Sequence, residues 1–271
     1  EDGKFPGIFQ LANRGAQNLF RKAKPKSIVD IATLTSIYRP GPLTAKVDKL
    51  YLDAKNNPEN VVYGHPLIEE VLKETYGMIV FQEQIMKLCS VVAGFPESET
   101  DNVRRSIMKR KASEADESLR QARAIKKQFV EGSVANGVDA SLADELYEKI
   151  LFFSGYGFNK AHAISYAIDS YYCAWLFTYY EEEWLCAYLE AMSGNDKKRA
   201  KAFNEVRKLG YKIVPIDVNY ATKGWTILEN KTFMPSFLSC KGIGEAAVDE
   251  IMQNRPYSSI DDMLWNDEHK W

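Results

Sequence analysis

The chain has 271 residues, 45% of them hydrophobic and 27% charged, with a formal net charge of −2. That composition belongs to a globular protein with a sizeable core and excludes a disordered or globally basic chain, so any basic surface must be local. Four cysteines (Cys89, Cys173, Cys186, Cys240) without CxxC spacing and only three histidines speak against a zinc site or disulfide framework, and fit a reducing, cytoplasmic setting.

The first residue, Glu1, is not methionine, and no basic-then-apolar segment follows, so the chain reads as a piece or processed product of a longer protein without a signal peptide. Short apolar pieces broken by turns (Phe5-Pro6-Gly7, Arg14-Gly15) precede a helix over 16–21. Ser27 caps the next helix, with Asp30 three residues on as a box-like partner. That helix stops at Arg39-Pro40-Gly41-Pro42. A polar loop at 55–59 leads to His65-Pro66 and a helix over 67–75. From Met78 onward Phe81, Ile85, Leu88, Cys89 and Val92 recur at helical spacing. Gly94-Phe95-Pro96 ends that run, and Ser98 with Asp101 opens another helix as a capping pair. Two amphipathic helices fill 112–150, separated near Asn136-Gly137. Gly155-Tyr156-Gly157 forms a turn, and Asn159 caps a long helix to about 178. Its least charged stretch, 163–180, is interrupted by Asp169 and reads as buried helix rather than membrane span. Helices over 182–192 and 197–209 follow, the second stopped by Gly210. From 211 the pattern changes to short strands at 212–214, 224–228 and 232–238, the last two joined by Glu229-Asn230-Lys231. Lys241-Gly242-Ile243-Gly244 then enters a helix over 245–254, and Asp261-Asp262 reads as a helix cap.

Three groups of residues suit an anionic ligand. Arg104, Arg105, Lys109, Arg110 and Lys111 place five cations in eight residues with no acid among them. On a helix, Arg105 and Lys109 share one face and Arg104 and Lys111 a neighbouring one; like charges so spaced repel unless a polyanion turns repulsion into attraction. A solvated basic face fits the pattern equally well. Residues Gly155-Tyr156-Gly157-Phe158-Asn159-Lys160-Ala161-His162 join a glycine turn to a helix start, whose N–H groups and positive dipole end favour phosphate. Tyr156 and Phe158 offer stacking surface, and Lys160 and His162 stand where cations want an anion nearby; a glycine turn with two core aromatics is the plainer alternative. Lys241, Gly242 and Gly244 match half of a helix-hairpin-helix, in which backbone amides hold a DNA phosphate. No D-x-D occurs, so no pair of acids suited to two magnesium ions is evident and no metal or catalytic residue is assigned.

Taken in order, these motifs resemble the alpha subunit of bacterial DNA polymerase III, the C-family replicase. The resemblance runs from Ile8-Phe9-Gln10-Leu11 through Tyr38-Arg39-Pro40-Gly41-Pro42-Leu43 and Tyr76-Gly77-Met78-Ile79-Val80-Phe81-Gln82-Glu83-Gln84. It continues with Arg104-Arg105 and 155–162, which differs from the family's G-Y-G-F-N-K-S-H only at Ala161, and closes at Lys241-Gly242-Ile243-Gly244-Glu245. It implies a mainly α, multi-helix fingers region with a small β element and a C-terminal helix-hairpin-helix half. Residues 1–45 would be a connector following the palm, 46–210 the helical fingers, and 211–271 a small α+β segment. It also implies that Arg104, Arg105, Lys109, Lys111, Tyr156, Asn159, Lys160 and His162 bind the incoming dNTP, and that Lys241, Gly242 and Gly244 bind primer-template DNA. The helix at Gln82-Glu83-Gln84 and Arg39 are expected to be structural support. No cofactor is expected in this chain; Mg2+ belongs to the palm, which with the remaining polymerase domains is an expected partner, and no membrane is involved. The isolated chain is expected to be inactive, with a non-catalytic DNA-binding module as the alternative. Two positions depart from the pattern: Met108 replaces a glycine, and Glu181 replaces a proline whose loss would let two helices merge into one bent rod.

Overall fold

The computed structural model describes residues 3–112 and 116–264, with the side chains of 108–119 outside the described set. Among the described residues the architecture is mainly α with one small sheet. The chain forms two compact units: Gly3 with Asn13–Tyr171, and Lys4–Ala12 with the chain from Tyr172 onward. The division falls inside one helix, between Tyr171 and Tyr172.

The first unit begins with α1 (Arg14–Ala23), α2 (Ile28–Ile37), α3 (Pro40–Thr44) and α4 (Val47–Asn56). Ser27 caps α2, its hydroxyl accepting from the Asp30 amide at 3.1 Å, while the Asp30 carboxylate accepts from Lys26 N–H at 2.7 Å. The prolines after α2 do more than stop it. Pro40 restarts the helix at the N1 position, where its missing N–H is harmless, producing α3. Next come α5 (Pro66–Leu72), with a 3-10 turn at Lys73–Thr75, and α6 (Gln82–Lys87), continued by a π-helical turn at Leu88–Val92. The helical spacing from Met78 misreads its first four residues: 78–81 are extended, and Phe81 forms an isolated parallel bridge with Phe158.

Next are α7 (Glu97–Ala112), α8 (Asp116–Ala135) and α9 (Ala140–Ser154). Ser98 lies inside the first turn of α7 rather than capping it, because the Pro96 carbonyl already accepts from Glu99 N–H at 2.9 Å. These helices enclose a core containing Ile85, Leu88, Val92, Ile107, Phe129, Tyr147 and Ile150. The long helix α10 (Lys160–Tyr179) belongs to both units.

In the second unit α11 (Glu181–Met192) starts anew after α10. Tyr180 leaves the helical region at φ −135°, ψ 56°, so the rod expected from the loss of proline does not form. Three glutamates in the first turn of α11 favour that restart by facing its positive end. Then α12 (Asp196–Lys208) leads to β1 (Lys212–Ile213), β2 (Thr226–Leu228) and β3 (Thr232–Met234), in the order β1-β3-β2. β2 and β3 pair antiparallel through Asn230 and Lys231, both at positive φ, while β1 pairs parallel to β3. Finally α13 (Glu245–Gln253) packs Val248 and Ile251 against Met234 and Phe237. At α14 (Ile260–Leu264) the cap is Ser259, which accepts from Asp262 N–H at 3.0 Å; Asp262 reciprocates by accepting from Ser258 N–H. Among the described residues no helix is long and apolar enough to cross a membrane.

Candidate functional site

The loop at 155–159 is held in the first unit from three sides. Phe158 N–H donates to Val80 O and Gln82 N–H donates to Phe158 O, each at 3.0 Å, tying the loop to the entry of α6. That entry is fixed in turn by buried Gln84, whose side-chain oxygen accepts from Val80 and Phe81 N–H at 2.9 and 3.0 Å while its amide donates to Thr75 Oγ1. From below, the Arg39 guanidinium lies 4.5 Å from the centre of the Phe158 ring. The Tyr156 ring lies on Gly41, where a Cβ would stand 2.8 Å from it. The Arg-Pro-Gly-Pro and Gln-Glu-Gln motifs therefore act as the scaffold of the aromatic loop, and glycine at 41 is required by a close approach rather than by a turn alone.

Asn159 caps α10, its side-chain oxygen accepting from His162 N–H at 2.8 Å. The same side chain donates to Glu83 Oε1 at 3.0 Å, and Glu83 Oε2 accepts from Lys160 N–H at 2.8 Å. Lys160 Nζ pairs with Glu74 at 2.5 Å. The anions beside the positive end of α10 are thus Glu83 and Glu74, which the sequence reading did not assign. The signal was present: cations in a first turn demand a nearby acid, and the Gln-Glu-Gln motif supplies one. His162 is exposed, its ring 5.4 Å from that of Phe158 and 4.2 Å from that of Tyr166. Replacing Glu83 by Gln removes the charge at this helix end while keeping the shape, and is expected to lower stability by about 1 kcal/mol. Hydrogen exchange should also quicken at 157–162; unchanged exchange there would show that the carboxylate does not hold the loop.

On α7, Arg104 and Arg105 share one acid. Arg104 Nε and Nη2 donate to Asp101 Oδ1 at 3.0 and 2.7 Å, and Arg105 Nη2 meets Oδ2 at 2.7 Å. Hydrogen bonds from Arg104, with the charges of both arginines, hold the Asp101 carboxyl below its usual range. The side chain of Arg104 is only 13% exposed and that of Arg105 65% exposed, so Arg105 is the member of the pair that faces solvent. Lys109 and Lys111 stand in the last turns of α7, and their side chains lie outside the described residues. The two constellations are linked through α6, whose first residue pairs with Phe158 and whose body packs on α7.

In the second unit Gly242 adopts φ +96°, and nothing lies within 4 Å of where a Cβ would stand at Gly242 or Gly244. Lys241, Gly242 and Gly244 are exposed, and Gly244 precedes the first turn of α13, accepting from Val248 N–H at 3.1 Å. The element before this turn is a 3-10 turn at Phe237–Ser239, so the hairpin has an α-helix on one side only. Among the described residues no group of three or more His, Cys, Asp or Glu could hold a metal ion.

Comparison with known proteins gives these motifs a common source. DNA polymerase III subunit alpha of Aquifex aeolicus is 35% identical over 255 residues, 94% of this chain and 21% of that protein. The same subunit of Staphylococcus epidermidis is 35% identical over 265 residues, 96% of this chain and 24% of its own length. That of Vibrio cholerae is 32% identical over 260 residues, covering 94% and 22% respectively. The chain therefore spans less than a quarter of the length of these relatives. The model of the bacterial DNA polymerase III alpha subunit finger domain matches residues 1–137, about half of the chain. With the loop, the arginine helix and the support motifs folded around one another in the first unit, the chain belongs to the family of bacterial DNA polymerase III alpha subunit finger domains.

Proposed function

We propose that this chain positions the incoming dNTP and the primer-template in a replicative DNA polymerase, and that it performs no nucleotidyl transfer by itself. The observation that supports this most is the α6 bridge, which fixes a stacking loop and an arginine helix to one core. Arg105 and the cations beyond it would neutralise the triphosphate, Tyr156 and His162 would face base and sugar, and the open amides around Gly242 would meet duplex phosphates. Asn159 and Lys160 would hold the loop against Glu83 and Glu74, and Lys160 would reach the nucleotide only by exchanging Glu74 for it. The acids that hold Mg2+ for phosphoryl transfer would lie in the palm of the longer enzyme.

Titrating the purified chain with a fluorescent dNTP tests the nucleotide half of this reading. Arg105→Ala is expected to weaken binding about tenfold or more, the value of a lost charge-assisted hydrogen bond. Unchanged affinity would remove Arg105 from the site. Primer extension by the 271-residue chain with Mg2+ alone would overturn its non-catalytic status, and extension restored by an added palm segment would support it.

A further inference from the structure

A second charged surface lies on α12, in the second unit and outside the motifs of the candidate site. The helix Asp196–Lys208 holds Lys197, Lys198, Arg199, Lys201, Arg207 and Lys208 against two acids, Asp196 and Glu205, in a chain whose net charge is −2. Its buried residues, Ala202 and Val206, define the inward face. At 3.6 residues per turn, Lys197, Lys201 and Lys208 fall within about 40° of one another on the opposite face, with Asn204 beside them. All three lysines and Asn204 are exposed. The stripe is about 16 Å long at 1.5 Å per residue.

The surrounding acids neutralise only one of its three lysines. Glu205 flanks the stripe and pairs with Lys201 through Oε1 at 3.7 Å, while its Oε2 accepts a 2.7 Å hydrogen bond from the Tyr188 hydroxyl. Asp196 is taken by Arg199 at 2.7 Å. Among the described residues Lys197, Lys198, Lys208 and Lys212, which begins β1, have no ion-pair partner within 4.0 Å. Helix stability does not account for this placement. Arg207 and Lys208 suit the negative C-terminal end, but Lys197 and Lys198 occupy the first turn, where the dipole opposes cations, and the lysines repel along the stripe. A polyanion laid along the helix would offset each of these unfavourable interactions with an attraction of its own.

We infer that the exposed face of α12 is a binding surface for the phosphate backbone of duplex DNA, separate from the hairpin at Gly242. Over about 16 Å one strand of B-DNA presents about five phosphates, enough for every lysine of the stripe. Compact lysine charges on flexible stems would track that backbone without reading sequence. The choice of DNA among polyanions rests on the reading of the chain as part of a DNA polymerase; the stripe itself does not.

The test is fluorescence anisotropy of the 271-residue chain with a labelled 20-base-pair duplex across a salt series. Lys197→Gln/Lys201→Gln/Lys208→Gln is expected to weaken binding about tenfold at low salt. It should also flatten the slope of log K against log salt by about two to three, each lost phosphate contact removing about 0.9. Because Lys201 also reaches Ala12 O, the pair Lys197→Gln/Lys208→Gln serves as a second variant and should flatten the slope by about two. Three exposed lysines of the first unit, Lys22, Lys49 and Lys73, neutralised together, should leave the slope unchanged. Equal loss in that control, no change in slope for either stripe variant, or no duplex binding by the parent chain would each overturn the inference. Binding to poly-glutamate as tight as to the duplex would also overturn it, in favour of an acidic protein partner. Arg105→Ala is read separately with dNTP, so failure of the nucleotide reading and failure of the stripe remain distinguishable.

Discussion

Gly132→Ala is expected to destabilise the first unit by about 3 kcal/mol, the upper part of the range for overpacking a close contact. Gly132 lies in the last turn of α8, and a Cβ there would overlap the Ala93 carbonyl oxygen and stand 2.9 Å from its carbon. The obstacle is backbone, so no side chain can swing aside. Nor can the carbonyl retreat easily: the Asn136 side chain donates to the neighbouring Val92 O at 3.0 Å, clasping α8 to the end of the π-helical turn. Relief would require α8 to withdraw, pulling fully buried Phe129 off Tyr147, whose ring centre is 5.5 Å away. Alanine's better helix propensity returns only about 1 kcal/mol. The comparison is Gly194→Ala, where nothing lies within 4 Å of the added Cβ, and that change should be neutral within about 0.5 kcal/mol. Urea midpoints for the two variants decide the matter; similar midpoints would show that α8 does not approach Ala93 this closely.

Helices were legible where their signals are local. Ser27 and Asn159 cap the helices assigned to them, Asn136-Gly137 parts α8 from α9, and Gly210 follows α12. The antiparallel turn at Glu229-Asn230-Lys231 was legible for the same reason. Pairings across long stretches of chain were not. The parallel register of β1 with β3 involves a two-residue strand whose sequence says nothing of its partner. Phe81 carries a helical spacing but is drawn into an extended bridge by Phe158, more than seventy residues away, with Gln84 covering the amides that a helix would have used. At the candidate site the cations could be read directly, but their partners could not. Asp101 lies on the same helix as the arginines and was taken as a cap; Glu74 and Glu83 reach Lys160 from remote turns. A sequence shows which charges are unusual, and only packing decides which acid meets them.

A buried ion pair joins α2 and α4 in the first unit. Lys55 Nζ lies 2.6 Å from Asp30 Oδ2, with side-chain exposures of 6% and 5%, and also donates to Tyr76 OH at 3.1 Å. Tyr51 OH donates to the other Asp30 oxygen at 3.1 Å. The pair joins α2, α4 and the Tyr76 turn, after which the chain enters the extended residues that meet Phe158. Burial alone would push the Asp30 carboxyl up, but the Lys26 amide, Lys55 and Tyr51 together draw it below its usual range. Lys55→Met leaves that carboxylate buried without its cation and is expected to cost about 3–5 kcal/mol at pH 7. Adding Asp30→Asn removes the stranded charge, so the double variant should be more stable than Lys55→Met alone. The pH dependence separates charge from packing. In the parent chain the depressed Asp30 value gives stability that is complete above the unfolded carboxylate value, about 3.9, and is lost as pH falls through the folded value. In Lys55→Met the lysine's share of that lowering is gone and the carboxyl rises from its depressed position, so the deficit relative to the parent chain should shrink as pH falls toward 4. Urea midpoints at pH 7 and pH 4 for parent, single and double variants measure this directly. A Lys55→Met deficit equal at both pH values would mean that lost packing of the lysine stem, rather than an unpaired carboxylate, is what destabilises the unit.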